Sequence, residues 1–210
     1  HQSRDAAQAL ADKLNLLRED SVRLISADLS DAGGLNAVID QAGGFWGRLD
    51  GLVNNASVFS PTPLGALHRT DWQRVMQPNL EAPFFLSQAA WPLLRATRGA
   101  IVNVTDIYAD HPLKNHPIYS ISKAGLVALT RSLALEMAPE VRVNAVSPGA
   151  ILWPENQTDL GSCEKILEKV PMERSGVPED IAKAVYFLLE ETPYVTGQII
   201  AVDGGRTLAV

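Results

Sequence analysis

Apolar side chains alternate along the chain between a helical spacing and short continuous runs. Apolar residues three and four apart are typical of an amphipathic helix, whereas a short apolar run bounded by polar residues or glycine is typical of a buried strand. The spacing predicts helices over Ala6–Leu17, Asp31–Gly43, Asp71–Arg95, Tyr119–Met137 and Glu179–Glu190. The apolar runs predict strands over Val22–Ala27, Leu49–Asn54, Ala100–Val104, Val141–Val146 and Gln198–Val202.

This alternation predicts an α/β protein with a Rossmann-like, doubly wound parallel sheet. Asp31 is a residue type that caps helix starts, so we expect it to begin the second helix. Pro78, Pro83 and Pro92 interrupt the third helical stretch and predict that it is bent or split. A chain of 210 residues suits one domain, covering 1–210.

Composition excludes several classes of protein. The net charge of −6 argues against nucleic acid as a partner, and no apolar run is long enough to span a membrane. The single cysteine, Cys163, allows no internal disulfide and is typical of a reducing compartment, so we expect a cytoplasmic protein. His68, His111 and His116 show no ligand spacing with Cys163, so no metal site is predicted.

Tyr119 and Lys123 stand four residues apart and share one face of the predicted helix. An ordinary tyrosine has a pKa of about 10, and an adjacent ammonium favours the phenolate and lowers that pKa. The pair is therefore a candidate general acid and base. The alternative is that both side chains are solvated neighbours on an exposed helix face.

Further polar residues follow the predicted strands at their carboxyl ends, where open α/β sheets bind ligands. Asn54, Asn55, Ala56 and Ser57 close one strand, and Asp106 follows another. Elsewhere Pro148 and Gly149 follow a third strand, and Asn79 opens a helical stretch.

Together these motifs resemble the short-chain dehydrogenase/reductase family over the whole chain. The resemblance rests on the Asn-Asn-Ala motif, Asn79, the Tyr and Lys pair, the Pro-Gly motif and a tail of Val195-Thr196-Gly197 and Val202-Asp203-Gly204-Gly205. Two departures resemble the pteridine reductase branch: Ser57 replaces a glycine, and Asp106 stands where the family usually has serine. That branch reduces dihydropterins, and often oxidised pterins and folates, with NADPH.

The resemblance implies roles for individual residues. Asp106, Tyr119, Lys123 and Asn79 would be catalytic, with Asn79 holding a relay water and Lys123 also binding the nicotinamide ribose. The substrate would contact Ser57, Phe59, Asp106, Tyr119, Leu152 and Trp153, with Phe59 stacking on the pterin and the last two forming an apolar wall. NADPH would contact Ser3, Arg4, Asp28, Leu29, Asn55, Ala56, Tyr119, Lys123, Pro148 and Gly149.

Three points stay open in the sequence. Thr105 supplies the catalytic hydroxyl instead if the strand register shifts by one. Tyr108 and His116 lie in loops that we expect near the substrate entrance. The stretch Gln2-Ser3-Arg4 contains no acidic residue, and its Ser3 and Arg4 favour the 2′-phosphate of NADP over NAD.

The family's Gly-rich phosphate-binding turn has no counterpart in this sequence, and neither do its first strand, first helix and second strand. The resemblance places those strands between the predicted Val22–Ala27 and Leu49–Asn54 strands, so we expect a further segment upstream of residue 1. It also implies a homotetramer built on helices near 82–96 and 119–137 and on the C-terminal strand.

The leading hypothesis is thus an NADPH-dependent pteridine reductase. Alternatives are a dihydromonapterin reductase, a carbonyl-reducing member of the family in which Asp106 is incidental, and, from a different class, a non-catalytic remnant of the family that pairs with another chain.

Overall fold

The computed structural model describes residues 4–31, 33–151 and 166–209. Within these residues one parallel sheet has the order β1-β2-β3-β4. The strands are β1 Gly51–Asn54, β2 Ala100–Val104, β3 Arg142–Pro148 and β4 Ile199–Val202. The helices are α1 Arg4–Leu17, α2 Leu35–Trp46, α3 Arg69–Met76, α4 Ala82–Thr97, α5 Pro117–Met137 and α6 Pro178–Tyr186.

Helices cover both faces of the sheet, which confirms the Rossmann-like α/β class. Ile101 and Val143 belong to the core that includes residues of α2, α4 and α5. Val102 and Val146 face the other way and pack with α6 and the π-helical turn Phe187–Glu191 that follows it. Successive strand residues point to opposite faces, so short apolar runs supply both cores.

The register of the sheet brings the carboxyl ends of the strands to one edge. Asn54 pairs with Asn103, and Val104 pairs with Val146. Asn54 also donates a side-chain hydrogen bond of 2.8 Å to the Asn103 amide oxygen, and Asn103 donates one of 2.9 Å to the Thr130 hydroxyl of α5. This buried polar chain fixes β1, β2 and α5 relative to one another.

The long helical stretch is split, as its prolines predicted. α3 passes into a π-helical turn over Gln77–Glu81, which carries Pro78, before α4 begins. Pro83 lies in the first turn of α4, where a missing backbone N–H costs little. Pro92 is accommodated inside the helix.

Two predicted elements are wrong. Residues 22–27 form no strand, because no strand in the described part of the chain lies beside them to complete a hydrogen-bonded ladder. The second helix begins at Leu35 with Gly34 at its N-cap position, not at Asp31. The Asp31 carboxylate instead accepts a hydrogen bond of 3.0 Å from the Gly33 amide in the preceding turn.

Among the described helices, none is both long enough and apolar enough to cross a membrane.

Candidate active site

Asp106 and Tyr119 meet at the carboxyl edge of the sheet. Asp106 follows β2 and caps the short 3₁₀ turn Ile107–Ala109, where its Oδ1 accepts a hydrogen bond of 2.9 Å from the Tyr108 amide. Tyr119 lies in the first turn of α5, and its hydroxyl donates a hydrogen bond of 2.7 Å to Asp106 Oδ2. The backbone of one turn and the start of one helix thus hold both carboxyl oxygens.

Burial raises the pKa values of both members of this pair. Desolvation raises the pKa of Asp106 despite the opposing hydrogen bonds from Tyr108 and Tyr119. Desolvation also raises the pKa of Tyr119, and the negative charge of Asp106 raises it further. The expectation that the Tyr119 pKa is lowered by Lys123 is therefore wrong. Burial and the neighbouring Asp106 carboxyl group raise that pKa instead.

Lys123 is buried beneath the tyrosine, so the alternative of solvated neighbours on an exposed helix face is also wrong. Its Nζ lies 5.7 Å from the centre of the Tyr119 ring and donates a hydrogen bond of 2.9 Å to the Val104 carbonyl. Desolvation lowers the pKa of Lys123 to about 8, while Asp106 acts in the opposite direction. The ammonium has three donors, and its remaining N–H groups suit ribose hydroxyls.

Asn79 is buried in the π-helical turn and fastens the loop that follows β1. Its side-chain oxygen accepts a hydrogen bond of 2.7 Å from the Val58 amide. Its side-chain nitrogen donates to the Val58 carbonyl and to the Ser122 hydroxyl, each at 3.0 Å. The amide group is thus engaged in holding Val58 against α5. The role in a water relay stays a prediction.

Phe59, next along that loop, contacts Tyr119. Its ring meets Tyr119 edge-on with 4.8 Å between ring centres. It also stacks on His116 with centres 4.6 Å apart and planes 9° from parallel. Phe59 is 47% exposed, and Ser57 is exposed at the start of the same loop. A half-open aromatic surface therefore borders the Asp106 and Tyr119 pair.

The predicted cofactor residues divide into two groups. Asn55 and Ala56 are exposed just after β1, and Pro148 ends β3. The Gly149 amide donates to the Val202 carbonyl at 3.1 Å, which draws the Pro-Gly motif to the end of β4. A cavity of about 640 Å³ opens here, lined by residues that include Val53, Asn55, Val104, Pro148 and Ile151. Residues of α6 and of the turn after it, among them Ile181, Val185 and Leu189, supply most of its apolar wall.

The second group lies toward the start of the chain. Arg4 is exposed in the first turn of α1. Asp28 is exposed and accepts hydrogen bonds from the Ser30 amide and hydroxyl, which lower its pKa. Leu29 packs against the larger core. Ser3, Leu152 and Trp153 lie outside the described residues.

Thr105 does not supply a catalytic hydroxyl. Its Oγ1 donates a hydrogen bond of 3.0 Å to the Val146 carbonyl inside the sheet, and the side chain is buried. The register thus leaves Asp106, not Thr105, next to Tyr119.

Arg206 is a residue that the sequence reasoning missed. It follows the Gly204-Gly205 tail motif, and its Nη2 donates a hydrogen bond of 3.1 Å to the Tyr108 hydroxyl. A charged residue directly after that motif was the available signal. His116 and Tyr108, expected near the substrate entrance, both lie beside the site.

No group of three or more His, Cys, Asp or Glu side chains that could hold a metal ion occurs in the parts of the chain that the structure covers.

Comparison with known proteins places this fold and site in a family. The sequence profile of the family described as Enoyl-(Acyl carrier protein) reductase matches residues 1–207. The 3-oxoacyl-[acyl-carrier-protein] reductase FabG of Thermotoga maritima is 34% identical over 185 residues, which make up 86% of this chain and 75% of that protein. Glucose 1-dehydrogenase 2 of Bacillus subtilis is 34% identical over 204 residues, or 93% of this chain and 79% of that protein.

A solved structure from Sinorhizobium meliloti, named as a short-chain alcohol dehydrogenase, superposes with a TM-score of 0.89 at 31% identity. The match covers 97% of this chain and 84% of that one. The chain belongs to the short-chain dehydrogenase/reductase family, whose members are oxidoreductases that use nicotinamide cofactors. None of these names indicates the pteridine reductase branch.

Proposed function

We propose that this chain is a nicotinamide-dependent reductase acting on a carbonyl substrate. The observation that carries the proposal is the Asp106 and Tyr119 hydrogen bond at the carboxyl edge of the sheet, with Lys123 buried beneath it. The names of the relatives, a 3-oxoacyl reductase and a sugar dehydrogenase, support a carbonyl or alcohol carbon as the reacting centre.

Tyr119 is placed to act as the proton donor in the reductive direction. Its phenol is protonated at neutral pH, as an ordinary tyrosine is, and can give that proton to a developing alkoxide. A bound nicotinamide supplies the hydride for the carbon atom. The chain's own residues orient the carbonyl oxygen and deliver the proton to it.

Asp106 needs to be neutral for this reaction. A neutral carboxyl group donates a hydrogen bond to the substrate oxygen, whereas a carboxylate only accepts and repels the alkoxide. Burial raises the Asp106 pKa and so extends the neutral form to higher pH. The carboxyl group would then replace the serine hydroxyl that the family usually places here.

Pterin reduction is the second candidate function, and the carboxyl group of Asp106 favours it. A pterin presents N–H donors that a carboxylate accepts, while a ketone presents none. Phe59 adds an exposed aromatic face 4.8 Å from Tyr119, measured between ring centres. Such a face suits a flat ring, and aromatic stacking contributes about 0.5–1.5 kcal/mol beyond burial. Dihydromonapterin and dihydrofolate belong to the same candidate class.

NADPH is the proposed cofactor. Arg4 lies at the start of α1, and the Gln2 and Ser3 that precede it are uncharged, which suits a 2′-phosphate. Loss of absorbance at 340 nm with NADPH and with NADH, each measured for the wild type and for Arg4→Glu, tests this preference. A wild-type protein that uses both cofactors equally would contradict it.

A substrate panel separates the two candidate functions. The purified chain is supplied with NADPH and either a 3-oxoacyl thioester, a simple ketone, dihydrobiopterin or dihydrofolate. The Asp106→Ser variant restores the usual family residue. We expect it to keep or gain ketone turnover if the carbonyl proposal holds. Pterin turnover in the wild type that Asp106→Ser abolishes would overturn that proposal in favour of the second candidate.

The non-catalytic alternative has its own outcome in that panel. Absence of turnover with all four substrates, together with retained binding of NADPH, would support a family member without activity.

Size-exclusion chromatography with light scattering tests the proposed homotetramer, which is supported by half-exposed Trp72, Phe84 and Phe85 on one helical surface.

A further inference from the structure

The turn at the end of β4 is connected to the catalytic pair through Tyr108. The guanidinium group of Arg206 donates to the Tyr108 hydroxyl at 3.1 Å and lies 5.5 Å from the centre of the Tyr108 ring. The backbone amide of the same tyrosine donates to Asp106 Oδ1 at 2.9 Å. Tyr119 holds the other carboxyl oxygen. One chain of contacts therefore runs from Arg206 to the hydroxyl that we propose as the proton donor.

Arg206 is itself held in place by the turn that carries it. The Asp203 carboxylate accepts hydrogen bonds from the Gly205 amide at 2.9 Å and from the Thr207 amide and hydroxyl at 2.8 Å each. These bonds fix the 3₁₀ turn Arg206–Leu208. Arg206 is partly buried, and its guanidinium group contacts the hydroxyl and the ring of Tyr108.

We propose that Arg206 is a positioning residue for Asp106, acting through Tyr108 to hold the carboxyl group against Tyr119. The inference rests on the proposed function in taking the Asp106 and Tyr119 pair as the reacting groups. It assigns this arginine a part in setting which protonation state of Asp106 meets the substrate.

Among the residues that the structure describes, the other charged and titratable groups that face Asp106 come from two elements. Tyr119 and Lys123 approach from α5, and Tyr108 approaches from the turn after β2. Within the described part of the chain, Lys123 and Arg206 are the positive groups that act on Asp106, and each lowers its pKa against the effect of burial. Lys123 donates its hydrogen bond to the Val104 carbonyl. Arg206 donates to the Tyr108 hydroxyl, and the Tyr108 amide donates to the Asp106 carboxyl group.

The test compares Arg206→Met, Arg206→Lys and Tyr108→Phe with the wild-type full chain. Infrared absorption of the protonated carboxyl, assigned by its loss in Asp106→Asn, follows the titration of Asp106 directly. Removing the positive charge disfavours the Asp106 carboxylate, so the midpoint of the Asp106 titration should move to higher pH in Arg206→Met. The shift should be smaller in Arg206→Lys, which keeps the charge. Tyr108→Phe keeps the backbone amide but loses the hydroxyl acceptor, and we expect an intermediate shift.

Turnover is the second readout. The pH profile of kcat for the substrate found active should move in the same direction as the infrared midpoint. Loss of one hydrogen bond of ordinary net strength corresponds to about a 2- to 12-fold change at a fixed pH. Arg18→Met, which removes an exposed arginine at the end of α1, is the matched control and should leave both readouts unchanged.

Equal infrared midpoints in Arg206→Met, Arg18→Met and the wild type would overturn the proposal. If Arg206→Met fails to fold, Arg206→Lys and Tyr108→Phe carry the same comparison. The infrared titration needs no substrate. Absence of turnover would therefore contradict the proposed function, while the titration would still test the role of Arg206.

Discussion

The Tyr119 hydroxyl and the Asp106 carboxyl group lie 2.7 Å apart, although thirteen positions separate them in the sequence. Their contact arises because α5 starts beside the turn that ends β2. Each group affects the titration of the other: the hydrogen bond favours the Asp106 carboxylate, and the carboxylate disfavours the Tyr119 phenolate. Because the two groups interact, we expect them to titrate as a coupled pair rather than independently.

Replacing Tyr119 by phenylalanine should remove the proton donor while keeping the ring that contacts Phe59. Positioned general acids contribute about 10²- to 10⁴-fold, so we expect kcat to fall within that range. The dissociation constant for NADPH, measured by fluorescence, should change much less. Tyr194→Phe, at a fully exposed tyrosine, is the control and should retain wild-type turnover. Comparable kcat values in the two variants would rule out Tyr119 as the proton donor.

Lys123 should make stability depend on pH above neutrality. Burial lowers its pKa from 10.5 to about 8, so the unfolded chain binds more protons between those values. Stability rises with pH wherever the unfolded state binds more protons, and a tenfold difference in proton affinity corresponds to about 1.4 kcal/mol. The free energy of unfolding of the wild type should therefore increase between pH 8 and about 10, by no more than roughly 3 kcal/mol.

Lys123→Met isolates that contribution from other titrating groups. Urea denaturation of both proteins at several pH values gives the difference in their free energies of unfolding. We expect the wild type to gain stability relative to Lys123→Met as the pH rises from 8. A constant difference over this range would show that the ammonium is not desolvated in the folded protein.

Asn79→Ala should both destabilise the chain and disturb the substrate side of the site. The substitution removes two bonds to Val58 and one to Ser122, and buried hydrogen bonds contribute about 1 kcal/mol each. We expect a loss of about 1–3 kcal/mol in urea denaturation. KM should rise because the loop leading to Phe59 loses its anchor. Asn36→Ala, at an exposed position of α2, should change neither quantity.

Phe59→Leu distinguishes flat from non-planar substrates. Leucine keeps apolar area but cannot stack, and an aromatic pair contributes about 0.5–1.5 kcal/mol beyond burial. For a pterin we expect kcat/KM to fall about 2- to 12-fold. For a simple ketone, kcat/KM should stay near the wild-type value. Phe187→Leu, at another exposed phenylalanine, is the control and should leave kcat/KM unchanged for both substrates. An equal loss for both substrate types in Phe59→Leu would indicate a general packing role.

The spacing of apolar residues predicted most of the helices and strands because each of them buries a defined set of side chains. The strand Ala100–Val104 was predicted with its observed bounds, and α5 begins two residues before the predicted Tyr119. The predicted strand over Val22–Ala27 was wrong because an apolar run does not reveal whether another strand will pair with it. The prediction that Asp31 caps the second helix was wrong because an aspartate side chain can stabilise a turn as well as cap a helix.

Residue types and their order were enough to place Asp106, Tyr119 and Lys123 in one site, because parallel strands bring their carboxyl ends together. Tertiary structure alone decided the direction of the Tyr119 pKa, since burial and the distance to each charge depend on packing. It also decided which distant side chains meet: His116 stacks on Phe59, and Arg206 reaches Tyr108 from 98 residues away. Such contacts arise where separate loops converge, and the sequence alone does not show which loops will meet.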